Sequence, residues 1–191
     1  MMRMACETAS TVAAAAIAVQ ISTLVPAMRT DRLVLRAPRV SDFDCLADIA
    51  CSERGRGIGG PMTRADAWRE FVQLSSGWML HGHGGWTLED AQTGDVLGFV
   101  MIGFEPGDLE PELGFLLDAK AEGQSIAYEA GRCVLDFANQ VLKRTTLVSY
   151  IDPANSRSIA LAERLGADLD GEIIEDGEVT LVYRYTLAEV L

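Results

Sequence analysis

A short turn, Glu122-Gly123-Gln124-Ser125-Ile126-Ala127, is the first place in this sequence where residue types and spacing point to chemistry. It lies between a predicted strand that ends at Leu117 and a predicted helix that begins near Ile126. At such a junction the unpaired N–H groups of the helix N-terminus and the helix dipole together favour an anion, typically a phosphate. Because any strand-to-helix turn offers a glycine and free N–H groups, the turn alone leaves phosphate binding and an ordinary connection both open.

Two further pairs of polar residues invite a chemical interpretation. Glu112 begins the predicted strand, and Glu110, two residues before it, could share the same face, because side chains alternate along a strand. Asn155 and Ser158 form an Asn-x-x-Ser at the start of a later predicted helix, where both are also ordinary capping residues.

The histidines and cysteines predict no metal site. His81 and His83 flank a glycine in a loop and are expected to face solvent rather than to act in catalysis. The cysteines lack CxxC spacing, and only two histidines are available to complete a metal site. We therefore expect free thiols in a reducing cytosol at all four positions, Cys6, Cys45, Cys51 and Cys133.

The elements that must position these residues follow a legible order from Arg29 onward. Helical spacing of apolar residues predicts four helices, with capping pairs Ser41-Asp44 and Thr63-Asp66 opening the first two. The helices cover about residues 41–50, 63–79, 126–141 and 156–165, and strands are predicted at 32–36, 86–89, 96–104, 112–117, 145–151, 172–174 and 179–185. The order β-α-α-β-β-β-α-β-α-β-β predicts one α/β domain, with a mixed, mostly antiparallel sheet, one parallel pair and helices on both faces.

Several runs then carry a resemblance to a known family. They are TDRLVLR at 30–36, ELGF at 112–115, DPANSRS at 152–158 and AERLGA at 162–167. In this order, and with the turn at 122–127, the sequence resembles the GNAT-superfamily N-acetyltransferases. Within them it is most similar to the branch of the RimJ and RimL ribosomal-protein N-terminal acetyltransferases, and the resemblance covers about residues 29–187.

The resemblance implies a sheet that splays between strands 112–117 and 145–151, with acetyl-CoA in the opening and no metal. The family's phosphate loop reads Q/R-x-x-G-x-G/A, and here Glu122 replaces its basic or amide residue while Ser125 replaces its central glycine. A carboxylate at Glu122 repels a pyrophosphate unless it points to solvent, and the Ser125 hydroxyl can cap the helix or donate to the ligand. The implied cofactor-binding residues are Leu117, Gly123, Gln124, Ser125, Ile126, Ala127 and Asn155.

Acetyl transfer from a thioester to an amine needs a neutral amine, a polarised thioester carbonyl and a proton for the departing thiolate. The family pattern implies that Glu112 is the base, with Glu110 or a role as a mere sheet-face carboxylate as alternatives. It implies that Ser158 protonates the thiolate. The tyrosine acid of many relatives is replaced by Ala162, which leaves Ser158, water or no dedicated acid for this step. A backbone N–H of the splayed strand is expected to polarise the carbonyl.

Charge and composition exclude some classes of partner. The 191 residues include 28 acidic and 16 basic side chains, for a net charge of −12. Nucleic-acid binders and proteins that dock on anionic lipid need a basic face, so we expect neither a nucleic-acid nor a membrane partner. The negative electrostatic field of the protein favours a cationic amine as the acceptor, with acetyl-CoA as the other partner. A homodimer is also possible.

Residues 1–28 form a separate N-terminal extension. The apolar run 12–25 after Arg3 resembles a weak secretory signal, but it is too short and too polar for a transmembrane helix. An accessory helix, or residues upstream of a true start at Met28, are the alternatives. We expect a cytoplasmic protein whose acetyltransferase domain spans residues 29–191.

Two functions remain after these considerations. The first is an acetyl-CoA-dependent N-acetyltransferase that acts on a primary amine, either a small molecule or a protein N-terminus. The second is a catalytically weakened acyl-CoA-binding or regulatory protein, suggested by Glu122, Ser125 and Ala162.

Overall fold

The computed structural model describes residues 3–8 and 11–188, and these build one eight-stranded sheet. The strands are β1 (Met28–Arg29), β2 (Leu33–Arg36), β3 (Gly85–Asp90), β4 (Val96–Gly103), β5 (Glu112–Leu117), β6 (Thr146–Ile151), β7 (Ala167–Glu175) and β8 (Glu178–Thr186). Their spatial order is β1-β2-β3-β4-β5-β6-β8-β7. Within the described residues β5 and β6 form the parallel pair and all other neighbours are antiparallel, which confirms the predicted mixed α/β architecture.

Five α-helices accompany the sheet in the described ranges. They are α1 (Val12–Ser22), α2 (Phe43–Ala50), α3 (Arg64–Leu80), α4 (Ile126–Gln140) and α5 (Ser156–Arg164). A 3-10 segment, Glu53–Ile58, joins α2 to the loop before α3. The four predicted helices are confirmed, with ends within about two residues of the prediction.

The two predicted helix caps have different outcomes. Thr63 caps α3 as predicted, because its hydroxyl accepts a 3.2 Å hydrogen bond from the backbone N–H of Asp66. The Ser41-Asp44 cap is wrong. A 3-10 turn at Val40–Asp42 leads into α2, the Asp42 carboxylate accepts from the backbone N–H of Arg39 at 2.8 Å, and Asp44 instead pairs with Arg64.

The last hairpin is longer than predicted. β7 begins at Ala167 rather than at residue 172, because its pairing with β8 continues past an irregularity between Leu169 and Gly171. The turn lies at Asp176-Gly177, with both residues at positive φ. Most of the acidic run 168–178 is exposed.

Two hydrophobic clusters lie on opposite faces of the sheet. Leu113 belongs to the cluster beneath α4, whereas Leu116 packs with Phe43 and Phe71 of α2 and α3. Because side chains alternate along β5, Glu112 lies on the α2/α3 face, together with Leu116. Trp68, Trp78 and Trp86 all join these clusters.

The N-terminal extension is described only in part, since residues 1, 2, 9 and 10 lie outside the described ranges, as do 189–191. α1 buries none of its residues, whereas Glu7 is buried and forms an ion pair with Arg64 at 2.7 Å. Met28 pairs with Leu35, so the sheet begins at Met28, the last residue of the predicted extension. None of the described helices combines the length and the apolar composition needed to cross a bilayer.

Candidate active site

The parallel strands β5 and β6 separate almost as soon as they meet. Glu112 is paired with Val148, and the backbone N–H of Val148 donates to the Pro111 carbonyl at 3.3 Å. Beyond this pair, hydrogen bonds that involve side chains take the place of backbone-to-backbone bonds between the two strands. The Tyr150 N–H donates to the Glu112 carboxylate at 3.2 Å, and the Ser149 hydroxyl donates to the Leu113 carbonyl at 2.6 Å. The sheet therefore opens from this point towards the carboxyl end of β5, as the sequence predicted.

Glu112 lies at the closed end of this opening. The pKa of its carboxyl group is raised to about 8, mainly by burial and to a smaller extent by the nearby negative charges of Asp108 and Glu105. The hydrogen bond from the Tyr150 N–H acts in the opposite direction. A carboxylate with a pKa close to the working pH is a much stronger proton acceptor than an ordinary glutamate.

Glu110 has a different environment. Arg184 binds its carboxylate at 2.6 and 2.8 Å, and this contact holds the pKa of Glu110 below its usual range. Arg184 also pairs with Asp170 at 2.7 Å, and the Tyr150 hydroxyl accepts from the Glu110 backbone N–H at 3.1 Å. Glu110 is thus a structural ion-pair partner and a weak base.

The predicted phosphate loop follows the other end of β5, where Leu117 lies about 16 Å from Glu112 along an extended strand. Gly123 has φ of 70° and Ser125 has φ of 60°, so two residues of the loop occupy the left-handed region. That region favours glycine, which accounts for the family's glycine at the position of Ser125.

Ser125 is the N-cap residue of α4, but its side chain makes no capping hydrogen bond. The suggestion that its hydroxyl caps the helix is therefore wrong: Ser125 has a left-handed backbone, whereas a capping serine typically has an extended one. Among the described residues, no capping side chain accepts from the N-terminal N–H groups of α4, which begin at Ile126 and Ala127. Gln124 bends back instead, with its amide donating to the Lys120 carbonyl at 2.5 Å.

Two arginines balance the negative charge of the Glu122 carboxylate. Its carboxylate binds Arg54 at 2.7 Å and Arg157 at 3.0 Å, and Arg54 is the leading reason that the pKa of Glu122 is lowered. Arg54 also donates to the Leu117 carbonyl at 2.8 Å. The 3-10 segment at 53–58 is thereby tied to the carboxyl end of β5 and to the predicted phosphate loop.

Asn155 and Ser158 lie at the start of α5, beside the same end of the opening. The Asn155 side-chain oxygen accepts from the Ser158 N–H at 3.1 Å and caps the helix. The Asn155 amide nitrogen lies 3.3 Å from the point where a Cβ on Gly57 would stand. The Ser158 hydroxyl has no hydrogen-bond partner among the described residues.

A cavity of about 760 Å³ lies on the α2/α3 face, between α3 and the end of β4. Gly103, which lines it, is paired directly with Glu112, so the side chain of Glu112 projects on the cavity side of the sheet. His83 also lines the cavity and is only 6% exposed, so the expectation that it faces solvent is wrong. The loop folds it inward, where its Nδ1 lies 2.9 Å from the Ile102 carbonyl.

The sequence reasoning missed Arg54, Arg157 and His83 as site residues. Arg54 meets Leu117 and Glu122 across separations of 63 and 68 residues, which no local pattern reports. A pair of arginines in the glycine-rich loop 53–58 was the only available signal. The described residues contain no group of three or more metal-ligating side chains.

Comparison with known proteins finds a family model that matches this chain. Residues 32–168 match the model of the acetyltransferase (GNAT) domain. The crystal structure of an acetyltransferase from Agrobacterium tumefaciens is 39% identical, with a TM-score of 0.79, over 84% of this chain and 94% of that one.

Two further matches extend the comparison. YkkB of Bacillus subtilis, an uncharacterized protein, is 33% identical over 85 residues, 42% of this chain, and the match spans about half (48%) of YkkB. The structure of RimL, a ribosomal-protein α-N-acetyltransferase in complex with coenzyme A, has a TM-score of 0.70 at 15% identity over 85% of this chain and 98% of that one. At that identity the likeness concerns the fold alone.

Proposed function

Since the chain belongs to the GNAT acetyltransferase family, we propose that it transfers the acetyl group of acetyl-CoA to a primary amine. The observation that carries the proposal is the opening between β5 and β6, which has a carboxyl group of raised pKa at one end and an uncapped helix N-terminus at the other. This is the arrangement that a long thioester cofactor with a phosphate-bearing end requires.

The residues present fit coenzyme A. The N-terminal N–H groups of α4 offer donors for phosphate oxygens, and the Nε of Arg54 is a buried donor that no described residue satisfies. Leu117, Gly123, Gln124, Ser125, Ile126, Ala127 and Asn155 are the residues that we propose line the cofactor. Bound there, acetyl-CoA supplies an activated acetyl group on a thiol leaving group.

Glu112 is the proposed base. An amine is protonated in neutral solution and must lose one proton before it can attack the thioester carbonyl. When the N–C bond forms and the C–S bond breaks, the amine nitrogen loses a second proton and the departing thiolate gains one. The net reaction converts an ammonium ion and acetyl-CoA into an N-acetyl product, free CoA thiol and one released proton.

Ser158 is the proposed proton donor to the thiolate. Its hydroxyl is free of other partners among the described residues, while its backbone N–H is held by Asn155. Because a thiolate is a tolerable leaving group, this contribution is smaller than that of Glu112.

The experiment that tests the proposal measures thiol release from acetyl-CoA across a panel of amines, with the acetylated product identified by mass spectrometry. Acetyl-CoA binding is followed separately by fluorescence titration. Turnover with at least one amine supports the proposal. Micromolar binding without turnover by any amine would favour an acyl-CoA-binding or regulatory protein instead.

A further inference from the structure

The cavity beside Glu112 has apolar walls of the size that small-molecule sites require. Its volume, about 760 Å³, falls within the range of small-ligand pockets. Its wall includes Trp68, Val72, Leu80, Met101 and Phe104. Such walls bind an apolar body by removing its surface from water.

Carboxyl groups without cationic partners gather at the end of the cavity near Glu112. Glu105 lines the cavity, and Asp108 and Glu105 both act on Glu112. The pKa of Glu105 is raised by partial burial and then by the negative charges of Glu70 and Asp108. Across the described residues none of these four carboxyl groups belongs to an ion pair, so their negative charge is not neutralised by the protein.

His83 adds a neutral acceptor to the same cavity. Its Nδ1 faces a carbonyl oxygen, so this nitrogen carries the proton and Nε2 is left with a lone pair. Burial is the main reason that the pKa of His83 is lowered, with smaller effects from Arg144 and His81. Nε2 has no partner among the described residues. Arg69, a cation on the cavity wall, is already paired with Asp66.

We propose that this cavity is the acceptor site, and that the acceptor is a small primary amine carried on an apolar body of aromatic size. The ammonium group lies at the carboxyl cluster beside Glu112, and the body fills the space between α3 and the end of β4. The inference rests on the proposed function and narrows its acceptor. It disfavours amines that carry their own carboxylate, polyamines without an apolar body, and peptide N-termini.

The test compares kcat/KM for four acceptors in the thiol-release assay: 2-phenylethylamine, phenylalanine, spermidine and a Ser-Ala-Ala peptide. The first two share one body and differ by a carboxylate. We expect 2-phenylethylamine to exceed each of the others by at least about 10-fold. Higher kcat/KM for spermidine or the peptide would overturn the acceptor class while leaving acetyl transfer standing, whereas no acetylated amine at all would refute the proposed function itself.

Two variants locate the site. Nothing lies within 4 Å of a Cβ placed on Gly103, so Gly103→Leu is expected to fold and to occupy the space beside Glu112. It should raise KM for 2-phenylethylamine at least about 10-fold with CoA affinity unchanged. Glu70→Gln with Glu105→Gln should raise the same KM about 5- to 10-fold, and less at high salt.

The matched control for the charge variant is Glu172→Gln with Glu175→Gln, which removes two charges from an exposed part of β7. An effect equal to that of the cavity variant would assign the loss to the overall field and overturn the site. Unchanged KM in Gly103→Leu would also overturn it.

A second inference rests on a different observation, the buried and unpartnered Nε of Arg54. The Nη2 of the same guanidinium donates to the Leu117 carbonyl and to Glu122, so the side chain is held firmly at the carboxyl end of β5. A buried charged donor without an acceptor is costly unless a ligand completes it.

We infer that Arg54 contacts the diphosphate of coenzyme A, and that Glu122 is the residue that positions it. The positive charge missing from position 122 of the loop is then supplied from the 3-10 segment at 53–58, on a separate element of the fold. A guanidinium with a free N–H beside a helix N-terminus makes charge-assisted hydrogen bonds to phosphate oxygens.

Equilibrium binding of CoA and of pantetheine, measured by calorimetry, tests this without turnover. Arg54→Gln should weaken CoA binding about 10- to 100-fold and leave pantetheine binding unchanged. Arg54→Lys, which keeps the positive charge and lacks Nε, should have a CoA affinity between those of the wild type and Arg54→Gln. Arg56→Gln is the control, because Arg56 lies in the same segment and is 74% exposed. Equal losses in Arg54→Gln and Arg56→Gln, or an equal loss for pantetheine, would overturn the inference.

Discussion

The Glu112 carboxylate accepts a hydrogen bond from the Tyr150 backbone N–H at 3.2 Å, in the position where the next rung of the parallel ladder would form. One side chain thus has two consequences. It satisfies the first N–H that the diverging strands leave unpaired, and it fixes a carboxyl group of raised pKa at the closed end of the opening.

The pH dependence of stability should reveal this environment. Because the pKa of Glu112 is raised from 4.5 to about 8 on folding, the native state binds more protons than the unfolded state between these values. The free energy of unfolding therefore falls as pH rises through that window, as far as this group is concerned. Glu112→Gln keeps an acceptor for Tyr150 and removes the titration. Its Tm relative to wild type should rise by several degrees from pH 5 to pH 9, and parallel Tm curves would contradict the raised pKa.

Ser125→Gly should leave CoA affinity unchanged or improve it. The substitution places glycine at a φ of 60°, where a Cβ is strained, and clears space next to the phosphate loop. Calorimetric titration with CoA measures the effect, and a thermal melt provides the control for folding. A large loss of affinity would instead identify the Ser125 hydroxyl as a ligand contact.

Ser158→Ala should lower the acetylation rate by no more than about 10-fold, because water can protonate a thiolate in its place. The cap of α5 survives, since Asn155 binds the backbone N–H of residue 158 rather than its hydroxyl. Ser156→Ala, at an exposed position of the same helix, is the matched control. A loss as large as that of Glu112→Gln would make Ser158 more than a proton donor to the thiolate.

Most of the fold could be predicted from the sequence because its signals are local. Asp176-Gly177 specifies the last turn, and the short apolar run at 112–117 predicts the strand β5. The Ser41-Asp44 cap failed because Asp44 is bound by Arg64, twenty residues away. A distant partner outcompeted a local pattern.

The candidate site was predictable only in part. Glu112, the phosphate loop and the start of α5 followed from motif order. Two ion pairs, Arg184–Glu110 and Arg54–Glu122, could not be predicted, because each joins residues more than 60 positions apart. Burial of His83 depends likewise on how its loop folds against Ile102.

The acetylation rate of Glu112→Gln, measured as kcat/KM against pH, tests the central claim most directly. If Glu112 is the base, wild type shows a rising limb with an apparent pKa of about 8, and the variant lacks this limb. Above pH 8 its kcat/KM should be lower by about 10²- to 10⁴-fold, with CoA affinity nearly unchanged. Unchanged turnover, or a limb near 8 that persists in the variant, would show that another group or bulk water accepts the amine proton.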